Sequence, residues 1–105
     1  MNLEKCIVDI LIDIAKNNVN IKKIILFGSR AIGTNREASD VDIAIAGDLT
    51  HAEICEISGI LNDETPTPYY YDVVHLDKVC NDVLRDEIFT KGVCLYSRYS
   101  HTSER

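Results

Sequence analysis

Apolar residues follow a helical spacing at the start of the chain and a strand spacing further on. The first apolar positions recur every three or four residues, from Leu3 to Ile14, which predicts a helix with one buried face. Residues 23–27 form an almost continuous apolar run and predict a buried strand. In residues 40–46 every second residue is apolar, so one face of this second strand is hydrophobic and the other carries acids and alanines. The pattern therefore predicts a helix followed by two strands.

The second half of the chain alternates between helix and strand signals. Thr50 and Glu53 have the spacing of a capping box and predict the start of a helix. Residues 69–76 are rich in tyrosine and valine and predict a strand. A further helix is expected after Asp77, which can cap it, and Gly92 is expected to end it.

The length of the chain limits it to one domain. Its 105 residues, 46% of them hydrophobic, can bury one modest core. A short last strand is predicted at 93–96, and the polar residues after it lack periodicity, so we expect a domain at 1–96 and a mobile tail at 97–105. Because the connections are too uneven for a pure βαβ series, the expected fold is α/β, with a small mixed β-sheet flanked by helices.

A glycine and a serine follow the first strand. Gly28 allows the backbone to approach a ligand closely, and the Ser29 hydroxyl can bind phosphate oxygens together with nearby N–H groups. Gly28 and Gly33 have the spacing of the P-loop glycines, but Thr34 follows and no lysine does, so this motif is a poor match. The pair predicts a phosphate-binding turn of another kind.

Three carboxylates are the candidates for a metal site. Asp40 and Asp42 point to the same face of the second strand, where small alanines leave room for a ligand. Asp72 lies in the middle of the tyrosine-rich strand. If the two strands are neighbours, the three acids converge, enough to hold two Mg²⁺ ions or one Mg²⁺ and a reacting hydroxyl. The alternatives are a solvated turn for Asp40-x-Asp42 and a water-exposed sheet edge for Asp72.

These residues together resemble a known family. Gly28-Ser29, ten intervening residues, Asp40-x-Asp42 and a later Asp72 are similar to the motif of the minimal nucleotidyltransferases of the DNA polymerase β superfamily. Within it the chain resembles the MNT-domain proteins encoded beside a HEPN-domain partner. The resemblance implies catalytic and metal-binding roles for the three acids and a triphosphate grip by the Gly-Ser pair. Arg30, next to that pair, would add a positive charge to the phosphates.

The resemblance also implies an activity and a partner. The expected reaction uses Mg²⁺ and transfers AMP from ATP to a tyrosine hydroxyl of a HEPN toxin, with this chain as the antitoxin. Because the chain is too short to hold an acceptor domain, a partner must complete the site, either a HEPN protein or a second copy. Two alternatives stay open: a binding module that neutralises its partner by occlusion, and an aminoglycoside-type enzyme with an acceptor pocket at a dimer interface.

Composition narrows the partners and the compartment. A net charge of -6 argues against a free nucleic-acid partner, which needs clustered Lys and Arg. The four isolated cysteines are expected to be buried thiols in a reducing cytoplasm. No stretch reaches the roughly 20 apolar residues of a membrane span, so we expect a soluble, cytoplasmic protein without a membrane partner.

The motif does not select the nucleotide base. Tyr69, Tyr70 and Tyr71 are candidates for stacking on a base, although packing within the strand is the commoner use of such aromatic residues.

Overall fold

A four-stranded mixed sheet forms the centre of the computed structural model, which describes residues 3–36, 39–65 and 67–98. The strands are β1 (Ile21–Phe27), β2 (Val41–Gly47), β3 (Tyr71–His75) and β4 (Val93–Ser97). Their order across the sheet is β3-β2-β1-β4, with β1 antiparallel to both of its neighbours and β2 parallel to β3. The predicted α/β fold with a mixed sheet is confirmed, and the strand of Asp72 lies beside the strand of Asp42.

Four α-helices connect or flank the strands. They are α1 (Lys5–Lys16), α2 (Ser29–Ile32), α3 (His51–Gly59) and α4 (Asp82–Lys91). The predicted capping box is present at α3, where the Thr50 side chain accepts a hydrogen bond from the Glu53 N–H and the Glu53 carboxylate accepts one from the Thr50 N–H. None of the helices in the described part of the chain is long and apolar enough to cross a membrane.

The start of α4 differs from the prediction. Asn81, not Asp77, is its N-cap, and the Asn81 side chain accepts hydrogen bonds from the N–H groups of Val83 and Leu84. Asp77 lies in a 3₁₀ turn directly after β3 and accepts a hydrogen bond from the Gly47 N–H at 3.1 Å. The expected cap was wrong because Asp77 is engaged in tying this turn to the end of β2, so the helix begins several residues later.

The two faces of the sheet are covered differently. One, which we call the helix-packed face, carries Val41, Ile43 and Ile45, all with no exposed surface, against apolar residues of α1 and α3. The other, which we call the acidic face, carries Asp42 and Ala44 on β2 and is covered by α4 over part of its length. The period-two alternation read from the sequence is thus confirmed.

The chain remains part of the fold at the beginning of the predicted tail. Ser97 pairs with Lys23 at the end of β4, and the Arg98 guanidinium donates hydrogen bonds to the carbonyl oxygens of Ile21, Ala15 and Asn18 at 3.0–3.1 Å. The rest of the tail, residues 99–105, lies outside the described residues.

The four cysteines are free and exposed, which corrects the expectation that they are buried. Cys6 is on the solvent side of α1, one position before the buried Ile7, and Cys94 is exposed on the edge strand β4. At both positions the neighbouring apolar residues take the inward side of the element, which leaves the cysteine on the outward side.

Candidate active site

Asp42 and Asp72 are paired across two parallel strands. They are direct register partners in β2 and β3, and parallel neighbours lie about 4.8 Å apart. Asp42 is half-buried and Asp72 is exposed on the edge strand. On its other side Asp42 is the register partner of Phe27, the residue directly before the Gly-Ser pair. Asp42 therefore lies between the third acid and the predicted phosphate-binding turn.

Gly28 brings the turn into contact with this carboxylate. Its φ of 77° and ψ of -158° fall in a region that only glycine adopts readily. A Cβ at this position would lie 2.3 Å from Oδ2 of Asp42. Both the backbone angle and the close approach therefore require glycine. Ser29, half-buried, opens α2 directly after this turn.

The carboxylates interact electrostatically. Burial, followed by the negative charges of Asp72, Asp40 and Glu87, raises the pKa of Asp42 to about 6 from its ordinary value of 3.8. A carboxylate destabilised by desolvation and by like charges gains stability from a cation. The site thus has the electrostatic character of a binding site for a divalent metal ion.

Asp40 lies on the exposed segment directly before β2. The residue before it, Ser39, is held by Arg30, whose Nε and Nη2 atoms donate to the Ser39 carbonyl oxygen at 3.1 and 3.0 Å. The Arg30 guanidinium also lies 4.3 Å from the centre of the Tyr69 ring. The position of Asp40 is therefore constrained by the hydrogen bonds that Arg30 donates to the preceding residue, Ser39.

This arrangement gives Arg30 a different place from the one that the sequence suggested. Its side chain is 2% exposed, and its guanidinium binds a backbone carbonyl and an aromatic ring instead of pointing to solvent. A group buried in this way is poorly placed to meet an incoming triphosphate. The guanidinium thus holds the segment that carries Asp40, and a contact of Arg30 with phosphate stays a prediction.

The donor set fits Mg²⁺ in kind, although the protein does not offer a complete cage. Within residues 3–36, 39–65 and 67–98, no three Asp, Glu, His or Cys side chains are arranged to hold one ion by themselves. Mg²⁺ is commonly bound by one or two carboxylates together with water and substrate phosphates. The pair of Asp42 and Asp72, with Asp40 beside it, suits that mode, in which the nucleotide supplies the remaining oxygen ligands.

Sequence reasoning missed one contributor to the electrostatics of the site and the internal contacts of another residue. Glu87 acts on Asp42 from α4, and no motif marks it, because its position depends on how α4 packs over the sheet. Arg30 was found as a charge, but its role depends on a backbone carbonyl nine residues away. The Gly-Ser pair and the acids, in contrast, were all visible as a local pattern.

Comparisons with known proteins identify the family of the chain. Residues 9–101 match the family model described as polymerase beta, nucleotidyltransferase. A protein of Methanocaldococcus jannaschii named "Putative protein adenylyltransferase MJ0604" is 50% identical over 50 residues, which are 47% of this chain and 50% of that protein. The chain thus matches about half the length of this relative.

Solved structures of similar fold include toxin–antitoxin complexes. A toxin–antitoxin crystallised with AMP-PNP has 25% identity and a TM-score of 0.72, over 91% of this chain and 77% of that chain. An MNT antitoxin bound to the tri-AMPylated HEPN toxin of Shewanella oneidensis has 21% identity and a TM-score of 0.69, over 96% and 78% of the two chains. At that identity the second likeness shows the fold. The family match spans most of the sequence, and the chain belongs to the polymerase β nucleotidyltransferase family.

Proposed function

We propose that this protein is a Mg²⁺-dependent adenylyltransferase that transfers AMP from ATP to a tyrosine hydroxyl of a HEPN partner and thereby acts as an antitoxin in the cytoplasm. Membership of the nucleotidyltransferase family supports the reaction class. The similarity to a toxin–antitoxin crystallised with AMP-PNP supports an adenine nucleotide as the donor. The name of the Methanocaldococcus relative supports a protein as the acceptor.

One observation carries the proposal: the Gly-Ser turn lies beside the paired acids Asp42 and Asp72. Gly28 touches the Asp42 carboxylate, and Asp42 is paired with Asp72. A triphosphate held by Gly28 and Ser29 would therefore have its α-phosphorus beside the carboxylates. The elevated pKa of Asp42 supports the binding of a cation between these acids and the nucleotide.

The proposed reaction is an in-line displacement at the α-phosphorus of ATP. The tyrosine oxygen forms a bond to this phosphorus, the bond from phosphorus to the bridging oxygen breaks, and pyrophosphate leaves. Asp40, Asp42 and Asp72 would hold Mg²⁺, expected as two ions, which when bound offsets the negative charge that develops on the attacking and leaving oxygens. Asp72 is the proposed acceptor of the hydroxyl proton, because it is exposed on the edge strand where an incoming hydroxyl has access.

The partner is proposed from similarity and from size. A second structure with 25% identity, a mutant of a toxin–antitoxin called MntA-HpeT, covers 97% of this chain with a TM-score of 0.71. AMP is the group carried by the HEPN toxin of the Shewanella complex, and we take the same group to be transferred here. The described residues form one small sheet with its flanking helices, and we propose that another chain supplies the acceptor.

The test is a labelling experiment with the proposed HEPN partner, Mg²⁺ and ATP labelled in the α-phosphate. We expect label on the HEPN protein with the wild type and none with Asp40→Asn/Asp42→Asn. The matched control is Asp48→Asn/Asp63→Asn, which removes two negative charges at exposed positions outside the site. This control is expected to transfer label at the wild-type rate.

Each other outcome points elsewhere. Equal labelling by the wild type and by Asp40→Asn/Asp42→Asn contradicts the metal-dependent mechanism. Binding of the HEPN protein without any transfer favours neutralisation by occlusion. Label on this chain itself identifies a second copy as the acceptor.

A further inference from the structure

The three consecutive tyrosines have three different environments. Tyr71 is 1% exposed, and its hydroxyl lies 2.8 Å from the Thr67 hydroxyl. Tyr69 packs against the core of the helix-packed face, and its hydroxyl donates to Glu4 at 3.0 Å. Tyr70 is 59% exposed, and its hydroxyl has no hydrogen bond to any residue that the structure describes. Packing accounts for Tyr69 and Tyr71 but leaves the ring of Tyr70 available to a ligand.

Tyr70 belongs to the acidic face. The Val41 N–H donates to the Tyr70 carbonyl oxygen at 2.9 Å as part of the pairing of Val41 with Tyr71, so Tyr70 lies directly before the start of β3. Since Tyr69 and Tyr71 are on the helix-packed side, the alternation of side chains places Tyr70 on the other side, with Asp72. An exposed aromatic ring is ordinary on a protein surface. An exposed aromatic ring beside the acids of a candidate active site is, in contrast, a candidate contact for a ligand.

The strand order places the Gly-Ser turn and Asp72 on opposite sides of Asp42. Gly28 and Ser29 follow β1, Asp42 is on the central strand β2, and Asp72 and Tyr70 are on the outer side, at β3. In an in-line displacement the attacking oxygen and the leaving group are on opposite sides of the phosphorus. If the terminal phosphates lie at Gly28 and Ser29, pyrophosphate leaves toward β1. The attacking hydroxyl must then approach from the side of β3.

We propose that Tyr70 is a contact residue for the acceptor, and that its ring packs against the aromatic side chain that receives the nucleotide. This inference rests on the proposed function and adds the part of this chain that meets the acceptor. Aromatic pairs in offset or edge-to-face geometry stabilise a complex beyond the area that they bury. The ring would hold an acceptor tyrosine beside Asp72, the residue that we propose to accept its proton.

The test compares three single variants in the labelling experiment with the HEPN protein. Tyr70→Ala is expected to lower kcat/KM for the HEPN protein by about tenfold, mostly through KM, with ATP affinity within about twofold of wild type. Tyr70→Phe keeps the ring and is expected to behave like the wild type. Phe89→Ala is the matched control, because Phe89 is also 59% exposed but lies on α4 near Lys23, toward the other end of the strands.

The outcomes separate an acceptor contact from other roles of Tyr70. An unchanged KM for Tyr70→Ala overturns the proposal, as does an equal loss with Phe89→Ala. A loss of ATP affinity in Tyr70→Ala would make Tyr70 a contact of the nucleotide base and would also overturn it. A loss in Tyr70→Phe would show that the hydroxyl matters and would contradict ring packing.

A missing transfer reaction and a missing contact at Tyr70 give different results in these experiments. If the wild type binds the HEPN protein but transfers no label, the proposed reaction is wrong, and the affinity for the HEPN protein becomes the readout for Tyr70. Weaker binding by Tyr70→Ala than by Phe89→Ala then supports a contact at Tyr70. Equal affinities of wild type and Tyr70→Ala overturn it.

Discussion

The two faces of the sheet are built from the same strands but differ in what they contribute. On β2, Val41, Ile43 and Ile45 are completely buried against helices, whereas Asp42 and Ala44 face the opposite side with a carboxylate of raised pKa. The helix-packed face stabilises the fold by burying apolar area. The acidic face brings like charges together at a cost in stability. The alternation along one strand thus separates the residues that stabilise the fold from the candidate site residues, so substitutions on the two faces should differ in their effect on stability.

The largest effect on AMP transfer is expected from a substitution of Gly28, whose backbone lies against the Asp42 carboxylate. Gly28→Ala places a Cβ 2.3 Å from Asp42 Oδ2 and strains the backbone, so AMP transfer should fall by about 10²-fold or more. Gly33→Ala is the matched control, since Gly33 also has a positive φ, of 82°, but a Cβ there would meet nothing within 4 Å. It should cost about 1 kcal/mol in stability and leave transfer unchanged. Similar transfer rates for the two variants would contradict the role of the close contact.

A pair of valine truncations compares the two faces directly. Val41→Ala removes fully buried methyl groups from the helix-packed face and should lower the free energy of unfolding by about 2 to 3 kcal/mol. Val74→Ala removes the same groups from a half-buried position on the acidic face and should cost about 1 kcal/mol. Urea unfolding monitored by circular dichroism measures both values. Equal losses would show that the two faces do not differ in packing.

Much of the site could be predicted from the sequence because its parts are local. A strand, a Gly-Ser turn and an alternating Asp-x-Asp are encoded within about twenty residues, and a carboxylate in a tyrosine-rich strand marks Asp72. The adjacency of β2 and β3, on which the pairing of Asp42 with Asp72 depends, could be seen only in the structure. The roles of Gly28, Ser29 and the acids in binding and catalysis remain predictions.

What the sequence did not reveal depends on tertiary contacts. Asp77 and Asn81 are both good cap residues, and the contact of Asp77 with Gly47 decides between them. Arg30 is a cation next to the predicted phosphate-binding turn, yet its guanidinium donates hydrogen bonds to the Ser39 carbonyl oxygen. Glu87 enters the site only because α4 packs over the acidic face. In each case a residue type allowed two uses, and a partner distant in the sequence selected one.

Arg30 offers a smaller effect that discriminates between its two roles. Arg30→Lys keeps the charge but loses the two-pronged hydrogen bond to Ser39 and the planar stack on Tyr69. We expect kcat to fall by about tenfold, since Asp40 is less well positioned, while the dissociation constant for ATP stays within about twofold of wild type. Isothermal titration with ATP and steady-state labelling measure the two quantities. A large loss of ATP affinity with unchanged kcat would restore Arg30 as a phosphate ligand.

The smallest effect on the ligand-free protein is expected at Asp42, and its sign is informative. Because the pKa of Asp42 in the folded protein, about 6, lies above its ordinary value of 3.8, the stability linked to its protonated form is full below pH 3.8 and is lost as the pH rises through 6. Asp42→Asn cannot ionise, so the variant does not lose this stability as the pH rises. Allowing for the partial exposure of the group, the variant should be more stable than wild type by about 1 kcal/mol at pH 7 and about equally stable near pH 4.

The thermal unfolding of wild type and Asp42→Asn at pH 7, without ligand and with Mg²⁺ plus AMP-PNP, tests most directly whether the acidic face is a metal–nucleotide site that reduces stability. Without ligand, we expect Asp42→Asn to have a Tm about 5 °C higher than wild type. With Mg²⁺ and AMP-PNP, the wild type should gain stability by mass action and the variant should gain little, so that their difference shrinks or reverses. A lower Tm for ligand-free Asp42→Asn, or equal gains for both proteins, would contradict the account.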